Sequence, residues 1–123
     1  MTETDPTPGS DSAAGSDVEL SAADAPPYPA AFHMGPGHVI MHGNPPFLAM
    51  FGDAAVGQPA REAMLALPAK AFELMDLVLS TGKPAAAEIR TPAGRRRLVV
   101  AARIDPETAE TYGVTTHLRP PKG

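Results

Sequence analysis

The chain of 123 residues contains no cysteine. Structural disulfides, thiolate metal ligands and a cysteine nucleophile are therefore excluded, and the absence fits a cytoplasmic protein. Also missing is any apolar run approaching ~18 residues, the length a membrane-crossing helix needs. The N-terminus is acidic rather than basic-then-apolar, so neither a secretory leader nor a membrane anchor is expected. Basic residues are absent from positions 1–27, which hold six acids: Glu3, Asp5, Asp11, Asp17, Glu19 and Asp24. Residues 28–123 hold ten bases against eight acids, a surplus of two positive charges, so the net charge of −4 belongs to the leading segment. The near-neutral remainder gives no reason to expect nucleic acid or a membrane as partner.

What is present divides the chain in three. Residues 1–27 are Ser, Asp, Ala, Pro and Gly with little to bury, and are expected to form a disordered acidic tail. Residues 28–119 form the expected domain, and 120–123 a short C-terminal tail. In "YPAAFHMGPGHVIMHG" two β-prone runs flank Gly35-Pro36-Gly37, which predicts a hairpin. Asn44 then reads as a helix N-cap, with Pro45 at the first helical position and Gly52 as the stop. A short helix is expected to open near Pro59 and close at Pro68. The clearest helix spans Ala69–Thr81, "AKAFELMDLVLST", with Lys70, Glu73 and Asp76 on a wet stripe and Phe72, Met75, Val78 and Leu79 on a buried face. "AAAEIRTP", "RRRLVVAARI" and "TYGVTTHLRP" read as three antiparallel strands joined by turns at Pro92–Gly94 and Asp105–Glu107. Two β blocks around one helical block predict an α+β fold.

These pieces, in this order, resemble the PAS family of sensory and interaction domains. The resemblance rests on "GHVIMHGNPPF", the "FG" that ends that helix, "GQP", "LMDLVLSTGKP", "GRRRLVVAARI" and "YGVTTHL", and it covers residues 28–119. It implies a five-stranded antiparallel sheet with helices packed on one face, and a ligand or cofactor cavity, where one exists, between them. The implied role is non-enzymatic: a sensory or signalling module acting in trans, as a homodimer or on a protein partner, with a small-molecule ligand allowed. An adaptor or structural subunit with no ligand is the other role the resemblance permits. The chain departs from the family in a short segment from Asn44 to Gly57, in lacking a helix before the first strand, and in carrying no output domain; the last leads to the expectation of action through another chain.

Several residues invite chemistry. His38 and His42, four apart on a predicted strand, are expected to share a face, but about 13 Å separates such positions and no acidic residue lies close in sequence. A zinc site is therefore not expected, and His33, His38 and His42 are read as partly exposed imidazoles. Haem-binding PAS domains use a His on the long helix; Ala69–Thr81 has none, which disfavours haem and leaves only His42 or Met75 as substitutes. The covalent flavin adduct of LOV domains and the thioester chromophore of photoactive yellow protein both need a Cys, so both are excluded, and the cofactor, if any, is unknown. Met41, Phe51, Phe72 and Met75, with His42, are the candidate pocket wall, simple core packing being the plainer role for the methionines. Of the arginine triplet, Arg95 and Arg97 are expected on one strand face and Arg96 on the other. Edge protection explains them most simply, and docking of an acidic partner or of the chain's own tail is the alternative. No close carboxylate pair, nucleophile with a base, phosphate loop or H-E-x-x-H is visible, and His42 is the one half-plausible base, so no enzyme is expected.

Overall fold

The computed structural model describes residues 26–121. The expected acidic tail lies outside the described residues except for Pro26 and Pro27. Strand β1 (Ala30–Met34) turns through Gly35–His38 into β2 (Val39–Gly43), and the chain then breaks into helix α1 (Pro45–Phe51). The break follows from three residues. Asn44 sits in an extended conformation, and its side-chain oxygen accepts the Phe47 N–H at 3.0 Å, replacing a bond the first helical turn cannot make for itself. Pro45 and Pro46 occupy positions where a missing N–H costs nothing. Gly52, at φ 92°, ends the helix.

A 3₁₀ turn (Asp53–Ala55) leads to α2, which spans only Ala60–Ala63. The helix expected between Pro59 and Pro68 is thus cut short, because the fully buried Met64 leaves helical geometry at φ −113°, ψ 41° and the chain continues in turns to Leu67. Helix α3 spans Ala69–Thr81 and ends at Gly82 in the left-handed conformation. Its buried stripe is Ala71, Phe72, Met75 and Val78; Leu79 falls on the flank of that stripe and is only partly buried. Burial of the three large side chains supplies roughly 5–9 kcal/mol before entropy.

Strands β3 (Ala85–Thr91), β4 (Gly94–Ile104) and β5 (Thr111–Arg119) complete an antiparallel sheet of order β2-β1-β5-β4-β3. The α+β expectation, a five-stranded antiparallel sheet with helices on one face, is met. Helix α3 lies across β3, β4 and β5. Beneath the helices the sheet buries Ala31, Ile40, Ile89, Leu98, Val100, Val114 and Leu118, which close on Phe47, Met64, Phe72 and Met75. Gly113 on β5 permits the central β1–β5 approach, since a Cβ there would collide with the His33 carbonyl oxygen.

Asn44 joins this frame at every polar atom. Its Oδ1 also accepts the Ala30 N–H at 2.9 Å, and its amide donates to the Tyr28 carbonyl at 2.9 Å and the Pro26 carbonyl at 3.3 Å. Its backbone N–H donates to the Ala30 carbonyl at 3.0 Å. Asn44→Ala is expected to lower unfolding free energy by about 2–4 kcal/mol in urea denaturation, combining a lost cap with orphaned buried partners. Asn44→Asp retains the acceptor but loses both amide donations, so a stability close to wild type would show that the cap alone matters.

Candidate functional site

A line of polar side chains crosses the otherwise apolar interior between the sheet and α3. It starts at Thr116 on β5, whose hydroxyl lies 2.9 Å from His33 Nε2 on β1. The other nitrogen of His33 stands 3.3 Å from the His38 carbonyl, an acceptor only, so Nδ1 carries the proton and Nε2 receives the Thr116 hydroxyl. The same His38 carbonyl accepts the Ala60 N–H at 3.1 Å, tying α2 to the hairpin. His38 Nε2 lies 2.7 Å from Asp76 Oδ1 on α3, and Asp76 Oδ2 receives Arg61 from α2 at 2.7 Å. Four elements and the hairpin turn therefore meet in one chain of bonds.

Local structure explains how this sequence builds it. His38 closes the Gly35–Gly37 turn at φ 52°, a left-handed conformation that non-glycine residues rarely adopt. The turn is held by the His38 N–H donating to the Gly35 carbonyl at 3.0 Å. Both His33 and His38 are fully buried, which corrects the expectation of partly exposed imidazoles. His38 and His42 do not share a face either. The β1–β2 register shifts between Phe32 and His33, leaving Met41 as an extra residue on β2. His38 follows Ile40 to the inside, whereas His42 pairs with Phe32 on the outside and is exposed.

Electrostatically the line is graded from inside to outside. Burial pushes His33 down to about 4, against an opposing effect of its bond to the His38 backbone, so the ring is neutral near pH 7. The hydrogen bond from Arg61 holds the Asp76 carboxyl below its ordinary range, with burial opposing and the His38 bond adding. Asp76 and Arg61 are each 49% exposed. Because the ionised carboxylate only accepts, His38 Nε2 is the donor, and His38 Nδ1 is buried with no hydrogen-bond partner among the described residues. Arg96 Nε is a second buried nitrogen without a partner among the described residues, on the β4 face that points toward the helices, while Arg95 and Arg97 pair with Arg90 and Glu88 on the opposite face. The triplet divides between the two faces as its alternation predicts.

Of the five candidate wall residues, Phe51, Phe72 and Met75 gather on the helix side of the sheet. Met41, 48% exposed, and His42 lie on the other side, removed by the same register shift. Sequence reasoning set Asp76 aside as part of a solvated stripe and missed its bond to His38. The available signal was an Asp opposite an otherwise apolar helix face, together with two histidines bracketing a Gly-Pro-Gly turn. Among the described residues no group of three His, Asp or Glu is placed to hold a metal ion. No helix there is long and apolar enough to cross a membrane.

No protein-family model and no curated protein sequence matches the chain. Solved structures do. The sensory box sensor histidine kinase from Vibrio cholerae superposes with a TM-score of 0.63 at 12% identity, covering 75% of this chain and 80% of that one. The LOV domain of the blue-light activated histidine kinase from Erythrobacter litoralis EL346 gives 0.56 at 15% identity, over 76% of this chain and 95% of that one. The Vibrio cholerae VqmA dimer, a LuxR-type receptor, gives 0.61 at 14% identity, over 78% of this chain and only 47% of that one. The likeness is one of fold, and it agrees with the resemblance read from the motifs: this chain has the PAS fold.

The buried neutral His33 makes stability depend on pH. The unfolded chain takes up a proton at this residue near pH 6.5 and the folded chain only at about 4, so the contribution is complete above 6.5 and is lost as pH falls toward 4. About 3 kcal/mol of unfolding free energy is expected to disappear across that interval. Urea titrations at stepped pH check this, and in His33→Gln the slope between pH 6.5 and 4 is expected to flatten.

Proposed function

We propose that this chain is a non-enzymatic sensory module that signals in trans by protein association, and that it reads a small molecule held between the sheet and α3. The PAS fold supports the general role. The observation that carries the specific one is His38 Nδ1. A buried nitrogen without a partner costs roughly 1–3 kcal/mol, and a ligand or water that hydrogen-bonds to it recovers that energy. Phe51, Phe72 and Met75 supply the apolar surroundings on the same side of the sheet. The other nitrogen of the same ring bonds to Asp76, whose side chain is half exposed on the outer surface of α3 beside Arg61. Occupancy at one nitrogen thus bears on a charged pair that a partner protein meets.

The adduct-forming variant of LOV chemistry has no thiol to use in this chain. The ligand class that fits is a small, largely apolar molecule with one hydrogen-bonding group. Native mass spectrometry of the full chain from its own host tests both halves of the reading. Wild type is expected to carry a stoichiometric small molecule and to appear as a dimer or with a partner. His38→Asn, which tolerates the left-handed backbone, is expected to keep its circular dichroism and lose at least tenfold in ligand occupancy. Wild-type protein at the bare chain mass would remove the ligand. A monomer at host concentration would remove the association.

A further inference from the structure

The face of the sheet that carries no helix is an arginine surface. Register places Arg90 opposite Arg95 across β3 and β4, and Arg97 opposite Arg119 across β4 and β5. Arg103 stands on the same face, its guanidinium 4.9 Å from the Phe32 ring centroid. Five of the chain's ten basic residues therefore lie on one side of one sheet. Glu88 is the only acid in any of the five strands; it pairs with Arg97 and lies 3.7 Å from Arg95. Like charges placed directly opposite each other across strands are destabilising. Two such pairs side by side call for an anionic neighbour.

The chain enters the domain at this spot. Tyr28 packs edge-on against His117 with ring centroids 5.8 Å apart, and Arg119 lies 5.6 Å from the Tyr28 centroid. His117 pairs with Val99 and Ala30 on the outer face, so the residue leading into β1 is already seated beside the Arg97–Arg119 pair. The 25 residues before Pro26 contain six acids and no base. Five strands at about 4.8 Å spacing make a face about 19 Å wide, and ten extended residues reach ~33 Å, so Asp24, Glu19 and Asp17 all lie within range of the arginines.

We infer that the acidic segment 1–25 docks in cis on the outer face of the sheet, over Arg90, Arg95, Arg97 and Arg119. Its charge occupies the surface and competes with any other anionic partner for it. The inference stands on charge placement and chain continuity, and it holds whether or not a ligand enters beneath α3.

Amide shifts of the full chain test it. Wild type is compared with a variant in which all six acids are neutralised (E3Q, D5N, D11N, D17N, E19Q, D24N). Differences are expected at Arg90, Arg95–Arg97, His117 and Arg119. They should collapse between ~0.01 M and ~1 M salt, as the Debye length falls from about 30 Å to about 3 Å. In an Arg97→Gln, Arg119→Gln background the same neutralisation is expected to shift these amides by less than half as much. Tenfold dilution should leave the pattern unchanged. Absence of shifts on this face, shifts confined to α1–α3, or loss of the pattern on dilution would each overturn docking in cis.

Discussion

The corner at which the sheet gives way to the helical layer is held by the four side-chain bonds of Asn44. One oxygen caps α1 and also holds the first N–H of β1; one amide holds the carbonyls of Tyr28 and Pro26. A buried carboxamide has two acceptor sites and two donor hydrogens, and here all four are used. That satisfaction is what allows a polar residue to sit fully buried at the corner. It also fixes where the chain enters, because Pro26 and Tyr28 are held by the same group that starts the helix. The sheet edge, the helical layer and the direction of the leading segment are therefore one constraint.

The second set of polar groups has the opposite character, because it is incomplete. Thr116, His33, His38, Asp76 and Arg61 form a continuous line, yet among the described residues His38 Nδ1 has no partner. A half-satisfied buried group costs more than an apolar one of the same shape. Placement matters as well. The orphan lies under α3, inside the layer that Phe72 and Met75 fill, while the bonded end of the line reaches solvent.

Much of the architecture was legible in the residues. The bounds of α3, the Asn44 corner, the hairpin around Gly35–Gly37 and the three closing strands each follow from local rules that the tertiary structure does not overrule. So does the split of the arginine triplet, because β4 runs without a bulge through Arg95–Arg97. The candidate site was less legible. A single extra residue, Met41, reverses the side to which His42 points, and no local pattern in "HVIMHG" announces it. The bond between His38 and Asp76 spans 38 positions and depends on how α3 settles on the sheet. A helix stripe of Lys70, Glu73 and Asp76 reads as solvated on periodicity alone, and two of its three members give no sign that the third is shared with the core.

Asp76 decides how tightly the interior and the surface are linked. Its bond to Arg61 is between two half-exposed groups, and such pairs are worth little in water, typically below about 1 kcal/mol. Its bond to His38 is different, since the imidazole is fully buried and Nε2 has no other partner. Moving α3 outward by a few ångströms would leave both ring nitrogens of His38 unpaired at once, at roughly 1–3 kcal/mol for each. Nδ1 is unpartnered among the described residues before any displacement, so the added cost of moving α3 at this point is the loss of the Nε2 bond to Asp76. A ligand shifts such an equilibrium only by as much as it binds one arrangement better than the other. The weak outer pair adds little to that cost, so the polar contribution to holding α3 at this point comes mainly from the His38 bond.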